Sequence, residues 1–485
     1  MWFKYYMKGC RVNSEWNGDM KKFDVLIIGG GVSGTSLLYQ LCRFTDLKTI
    51  GLMEQYDAIA SVNSQSFNNS QTIHKGDIET NYTYEKAKAT KRTGNMIVNY
   101  VTKLAEEDRS GIVAKYPKMV LGVGKEECDG LRARFEEFKP LFPNLKALDR
   151  EGIRAIEPKI VEGRPEDEEV FALGALDEYV ACNYRALSES FVKEAKKAAD
   201  NREADCDIML STKVVDIKKV GDVFQVHTAN PKVGVVEAKY VVVSACGHSL
   251  LFAHKMGYGL DLACLPMGGS YYFTPEVLNG KVYTVQNPNL PFAAVHGDPD
   301  IAVPGKTRFG PTAIALPVLE RRNLKTFADF WKVFSLAPST MSALWKLMKV
   351  KDIRNYTLTN FLYEIPYLRE RLFLKEMKKI IPSLEINDVK FAKGFGGIRP
   401  QVIDKNQRKL IMGEAKINPG TGIVFNMTPS PGGTSCLGNA EKDMYLIANF
   451  LKCNIDKAAF DEVLLSGEVD LLEIDRPDEG SLVEV

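Results

Sequence analysis

The clearest hydrophobic pattern in the chain is short. Phe23 to Ile28 forms an apolar run rich in branched residues and stops at Gly29-Gly30-Gly31. Such a run predicts a buried parallel strand entering a tight turn. The residues after the glycines predict a helix, and TIGLMEQ predicts a second strand ending at Glu54. Further on, GALDEYVACNYRALSESFVKEAKKAA passes from a strand pattern into a helical one. DIMLSTKVVDIKKVGDVFQVHTA predicts a strand and a hairpin-like pair turning at Gly221-Asp222. VEAKYVVVSACGHS predicts a strand that ends in small residues. NNSQTIHKGD, residues 68–77, has neither a helical nor a strand period. A polar run so close to a glycine turn reads as part of a site.

One uncharged window, residues 25–42, is about long enough to span a bilayer. Its centre holds three glycines with serines and a threonine, a poor surface for lipid. A strand–turn–helix accounts for the same residues, and no transmembrane helix is expected. Residues 1–19 lack the continuous apolar stretch of a signal peptide and read as an extension outside the fold.

At 485 residues the chain exceeds one simple core and predicts about two domains. A net charge of +1 leaves no global field, so no nucleic-acid partner is expected. The nine cysteines are scattered without a CxxC pair. They read as reduced thiols of a cytoplasmic protein, with no disulfide framework and no metal site.

Gly29 to Gly34 fit GxGxxG. Gly29 permits the tight turn, Gly31 lets backbone approach a pyrophosphate, and Gly34 lets the helix pack close to the strand. Val32 and Ser33 open that helix, whose free N–H groups and partial positive charge would face the phosphates. Glu54, at the end of the second strand, is placed to accept hydrogen bonds from the adenosine ribose. The turn predicts a dinucleotide but does not choose between FAD and NAD.

Later segments make that choice by resemblance. The order helix, strand, hairpin, strand is similar to the second half of the FAD domain in glutathione-reductase-like flavoproteins, in the branch of D-amino-acid oxidase and glycine oxidase. There Val214 and Val215 would lie beside the adenine, and Ala245-Cys246-Gly247 would bring backbone close to the cofactor. GFGGIRPQVIDKNQRKLIMGE is similar to the GxRP…D…G pattern that ends the same branch, which places Gly397 at the cofactor. PSPGGTSCLGNAEKDMYLIANFL then resembles a glycine-rich loop, with Gly432, Gly433 and Thr434, opening a helix aimed at the flavin N1–C2 carbonyl edge.

With NNSQTIHKGDIETNYT and PFAAVHGDPDIAVPGKTRFGPTA, the chain from about Asp24 to about Leu451 resembles the malate:quinone oxidoreductase family. It departs at Ser70-Gln71-Thr72-Ile73, where glycines are expected, and so resembles a divergent subgroup. The resemblance implies bound FAD, a small dicarboxylate substrate, oxidation of L-malate to oxaloacetate and electrons passed to quinone. It also implies a peripheral place on the inner face of the cytoplasmic membrane. Asn69, Ser70, Gln71 and Thr72 would lie along the flavin, with His74 toward the substrate cavity or bracing the isoalloxazine ring.

Oxidising a 2-hydroxy acid needs a hydride acceptor, a base for the hydroxyl proton and cations to hold the carboxylates. Of the five histidines, His296 ends an apolar strand before a turn and is the first candidate base; His74 is the alternative. His227 reads as structural, and His248 and His254 as weaker candidates. Arg308, in GKTRFGPT, and Arg399, in GGIRPQ, are the candidate carboxylate clamps, because the planar guanidinium matches a carboxylate in bidentate fashion. Across the oxidase branch the GxRP arginine commonly binds the substrate carboxylate, so Arg399 also carries over by resemblance.

Residues 321–354 hold eight Lys/Arg against two Asp, interleaved with Trp331, Phe334, Leu336, Met341, Trp345 and Met348. Pro338 divides the stretch into two short helices. Such a segment suits an anionic membrane surface, and it also suits a helix packed on its own domain.

The predicted architecture is α/β. A Rossmann-like FAD-binding domain of the glutathione-reductase-like type is drawn from residues 20–112, 170–262 and 386–466. A second, α+β substrate domain built on an antiparallel sheet is drawn from 113–169 and 263–385. Residues 467–485 read as a mobile acidic tail. Two other functions compete with malate oxidation: oxidation of another 2-hydroxy acid or an amino acid, such as L-2-hydroxyglutarate, and a flavoprotein that binds RNA or a protein partner. The near-zero net charge disfavours the last. Malate and 2-hydroxyglutarate differ by one methylene, worth about 1–3 kcal/mol in a pocket, and the sequence leaves that choice open.

Overall fold

The structure, a computed structural model, describes residues 20–471 apart from 288, 289, 291–293, 412, 413, 429 and 430. The expected extension, residues 1–19, lies outside the described residues.

Strand β1 (Lys22–Ile28) sits inside the first of three sheets among the described residues. It is parallel to β2 (Thr49–Met53) on one side and to Val235–Val243 on the other. The apolar run is explained by burial on both faces. Val25 and Ile27 join the core under helix α1 (Val32–Phe44), while Leu26 and Ile28 join the core on the opposite face. Asp205–Met209 extends the sheet beyond β2, and Ile423–Met427 pairs in parallel with Val235–Val243. The hairpin Val214–Val220 and Val223–Thr228 turns at Gly221, whose φ is +59°. The uncharged window 25–42 is thus strand, turn and helix. Among the described residues no helix is long and apolar enough to cross a membrane.

A second large sheet has eight strands. Strand β3 (Val113–Val123) runs antiparallel to Val170–Cys182, and the pairing of β3 with Lys281–Thr284 is parallel. Val170–Cys182, expected in the FAD-binding domain, pairs with β3 in this sheet, a partner its own pattern did not reveal. The chain leaves this sheet at Asn183, whose Oδ1 accepts the N–H of Ala186 and caps the helix Tyr184–Asp200. Lys390–Phe391 likewise pairs with Tyr272–Pro275 in this sheet. Ile398–Asp404 pairs with Leu262–Gly268 in a third sheet of four strands.

Residues 467–471, expected in the mobile tail, are held against the fold. Asn99, on helix α2 (Tyr84–Thr102), donates to the Val469 carbonyl at 2.7 Å and accepts the Val469 N–H at 2.9 Å. Leu471 is fully buried. The rest of the tail lies outside the described residues.

The basic segment forms three helices, Phe327–Phe334, Pro338–Lys349 and Lys351–Leu362, the second opened by Pro338. Phe330, Val333 and Phe334 pack into the core beneath the first sheet. The site loops gather at the carboxyl ends of its parallel strands: Gly29–Gly31 after β1, residues 54–79 after β2, and Ala245–Gly247 after Val235–Val243. That is where open α/β sheets bind ligands.

Candidate active site

Two cavities meet beside the turn from β1 to α1. One, of about 300 Å³, runs from Val214 and Val215 past Glu54 to Gly29, Gly31 and Ala245. The other, of about 140 Å³, is bounded by Val32 and Ser33, by the polar run from Asn69 to His74, and by Gly397, Arg399 and Gly432–Thr434. Asn63, Ser64 and Cys246 line both, so the two form one groove.

The backbone of this groove fits a dinucleotide. A Cβ on Gly29 would stand 2.4 Å from the Ser244 carbonyl oxygen, and one on Gly34 would stand 2.0 Å from the Gly29 carbonyl oxygen. Only glycine lets β1 turn there and α1 pack against the turn. Helix α1 starts with no acidic side chain and no side-chain cap of its own. Val32 N–H donates to Ser64 Oγ at 2.9 Å, which leaves the following N–H groups of the first turn for an anion.

Glu54 lines the other end. Its Oε2 accepts Gly30 N–H at 2.7 Å and its Oε1 accepts Tyr56 N–H at 2.9 Å. Burial pushes its pKa up, and these backbone donors partly offset that. Each oxygen retains a further acceptor site for a ribose hydroxyl. At the opposite end, helix Cys436–Leu451 has no acidic residue in its first turn and starts just after Gly433 and Thr434. A Cβ on Gly433 would lie 2.7 Å from the Tyr184 ring. The Tyr184 hydroxyl donates to Thr72 O at 2.7 Å and lies 3.1 Å from Thr434 Oγ1, tying three elements together.

The polar run divides between two sides. Asn69, Ser70, Thr72 and His74 line the smaller cavity. Gln71, expected along the flavin, turns away instead. Its φ is +52°, it is fully buried, and its Nε2 donates to Ser66 O and Asp300 Oδ1. Gly247 is buried against Leu319, and Cys246 takes its place on the groove. Gly34 supports the groove from behind.

The two candidate bases are placed differently. His74 lines the cavity with its Nδ1 2.7 Å from Glu79 Oε1. Burial opposes ionisation of Glu79, but His74 and Lys118 outweigh it and hold the carboxyl down at about 2. His296 does not line the cavity. It begins the strand His296–Pro299 instead of ending one, and its ring stacks on Tyr283 at 4.4 Å. Burial drives its pKa down to about 3. His254 Nε2 contacts Gly259 O, His227 lies in a hairpin strand, and His248 lines the larger cavity.

The two arginines are also separated. Arg399 lines the smaller cavity, and its guanidinium makes no hydrogen bond or ion pair among the described residues. Arg308 is fully buried behind the wall, 3.5 Å from Asp298 and 3.1 Å from Asp300. Lys281 joins this cluster 3.1 Å from Asp298. Lys281, Asp298 and Asp300 escaped the sequence reading because they meet only across strand register, as where Asp298 stands opposite Arg308. Glu79 escaped it too, although it lies five residues past His74 in the quoted run.

A glycine-turn groove at the carboxyl ends of a parallel sheet, with a cavity at its far end, defines a dinucleotide-binding α/β protein. The family described as malate:quinone oxidoreductase matches residues 21–438. A probable malate:quinone oxidoreductase of Campylobacter jejuni is 45% identical, with 92% of this chain and 99% of that protein covered. The malate:quinone oxidoreductase of Helicobacter pylori is 44% identical, over 89% and 95%. The mitochondrial L-2-hydroxyglutarate dehydrogenase of Bos taurus is 27% identical, over 86% of each. In fold, the chain is similar to the FAD-bound L-alpha-glycerophosphate oxidase of Mycoplasma pneumoniae, with a TM-score of 0.60, 19% identity, and 90% and 96% covered. The chain belongs to the malate:quinone oxidoreductase family, and its cofactor is FAD.

Proposed function

We infer that the protein oxidises L-malate to oxaloacetate and that a quinone receives the electrons. The observation that carries this reading is that His74 and Arg399, whose guanidinium has no ion pair among the described residues, line one cavity at the end of a dinucleotide groove. Bound FAD supplies the hydride acceptor. Arg399 binds a malate carboxylate in bidentate fashion and so orients the carbinol carbon. His74 accepts the hydroxyl proton at Nε2. Tyr271, Tyr184 and Thr434 close the cavity around the substrate.

The test is the flavin absorption band of the purified protein, recorded without oxygen before and after L-malate. Bleaching is expected; a band that stays oxidised overturns the substrate. The bovine relative favours a second reading, L-2-hydroxyglutarate, and the same spectrum with that acid decides between them. His74→Gln keeps its flavin and loses reduction by malate, whereas reduction at the wild-type rate would remove His74 as the base.

Contact with an anionic membrane belongs to the outer face of the three helices between residues 327 and 362. Leu336 is 64% exposed, Trp345 65% and Phe361 57%, beside Lys346, Lys349, Lys351 and Arg354. Apolar side chains standing among lysines suit an anionic interface. Arg321 turns inward to Gly269 O, so the cationic surface is smaller than the charge count of the segment. Flotation with anionic vesicles at low salt checks this, and Trp345→Ser with Leu336→Ser should weaken it. Failure of the wild-type protein to float would exclude the contact.

A further inference from the structure

Buried charges crowd behind His74. Lys118 Nζ lies 2.7 Å from Asp77 Oδ1, and Lys75 Nζ lies 2.7 Å from Glu178 Oε2. Glu79 differs from these carboxylates because both its oxygens meet nitrogens of its own loop. Oε1 faces His74 Nδ1 at 2.7 Å, and Oε2 accepts Gly76 N–H at 2.9 Å. Gly76 holds its place: its φ is +87°, and a Cβ there would stand 2.6 Å from the Ala87 Cα. Its N–H can only donate, so it anchors one oxygen of the carboxylate.

An ionised carboxylate accepts and never donates. With Glu79 charged, the hydrogen of the Glu79–His74 contact must sit on Nδ1. The neutral ring then carries its lone pair on Nε2, the nitrogen left for the cavity. We propose that Glu79 is a positioning residue for malate oxidation, setting the His74 tautomer that can receive the substrate's hydroxyl proton. This rests on the assignment of His74 as the base. In the reaction the O–H bond breaks and its proton passes to Nε2, and FAD, when bound, would take the C–H hydrogen with its electron pair. The imidazolium that results faces the Glu79 carboxylate.

Glu79→Gln separates charge from shape. A glutamine amide has one acceptor and one donor end, but both neighbours of Glu79 are N–H groups. With the amide oxygen kept on Gly76, its NH₂ faces Nδ1 and moves the ring hydrogen to Nε2. In the FAD-loaded variant, flavin reduction at saturating L-malate should slow by about 100-fold or more. Flavin content should stay at the wild-type level, and the malate concentration at half-maximal rate should change less than about threefold, because binding rests on Arg399.

The tautomer is read independently by ¹⁵N–¹H NMR of the imidazoles in the ligand-free holoenzyme. Only five histidines contribute, and His74→Gln identifies the signal. Wild-type His74 should carry its hydrogen on Nδ1, and Glu79→Gln should carry it on Nε2. A wild-type ring protonated on Nε2 alone would overturn the proposal even if the variant failed to fold. Fast reduction in Glu79→Gln with slow reduction in His74→Gln would overturn it alone. Fast reduction in His74→Gln would overturn the base assignment and this proposal with it.

Discussion

The guanidinium of Arg308 lies 4.5 Å from the centre of the Tyr271 ring, and of the two side chains only Tyr271 reaches the cavity. The cation is therefore part of the wall's foundation. Burial alone would raise the pKa of Asp298, but Lys281 and Arg308 hold it below the usual carboxylate range. Arg308→Met leaves Lys281 as the one remaining lysine or arginine of this cluster for Asp298 and Asp300. Breaking a buried ion pair from one side costs about 3–5 kcal/mol. The expected result is a lower urea midpoint that corresponds to that loss of unfolding free energy, and an unchanged midpoint would mean that the cluster is not charged as described.

Arg399→Lys should behave in the opposite way. Its guanidinium has no ion pair to lose among the described residues, so the unfolding midpoint should stay put. The forked contact to a carboxylate goes, and KM for L-malate should rise by roughly 10- to 100-fold, the equivalent of one charge-assisted hydrogen bond. An unchanged KM would remove Arg399 from the substrate site.

Two glycines make a paired test of the groove. Gly34→Ala forces a Cβ to 2.0 Å from the Gly29 carbonyl oxygen, so α1 must move off the turn and the protein should be purified without FAD. Gly221→Ala points into open space at a φ of +59°. It should retain its flavin and lose only about 1 kcal/mol of stability to backbone strain. The ratio of flavin to protein absorbance reads both.

Glu157 predicts a pH dependence. Its Oε2 accepts Asn279 N–H at 2.9 Å and its Oε1 accepts Gly280 N–H at 2.6 Å, at the turn that leads into Lys281. Burial pushes its pKa up to about 7, partly offset by these two donors. The folded protein holds this proton more tightly than the unfolded chain. Its contribution is therefore complete below the ordinary glutamate pKa and is lost as pH rises through about 7. The loss is up to about 3 kcal/mol. The urea midpoint should fall between pH 5 and 8, and the fall should be smaller in Glu157→Gln.

Features set by neighbouring residues were legible in the sequence. The strand ending at Gly29, the helix after Gly34, Glu54 at the end of β2, the hairpin at Gly221 and the helix after Gly433 all follow from local patterns. Each depends on steric or hydrogen-bonding rules that act over a few residues. Those rules were enough to place a dinucleotide, while the choice of FAD and the role of Arg399 in GxRP came from resemblance to a family. What remained needed contacts between residues far apart in the chain. Val170–Cys182 reads as a strand in any sheet, and only its register with β3 assigns it. Gln71 sits amid residues that line the cavity, yet a positive φ and a bond to Asp300 turn it away. His296 and Arg308 carry the right chemistry for a site, but the stacking of Tyr283 and Tyr271 puts them behind its wall. The sequence by itself determined the strand–turn–helix scaffold and its dinucleotide groove, because these rest on local backbone geometry, and resemblance to a known family chose FAD. Only the tertiary structure decided which histidine and which arginine reach the cavity, because that depends on the packing of strands the chain brings together from a distance.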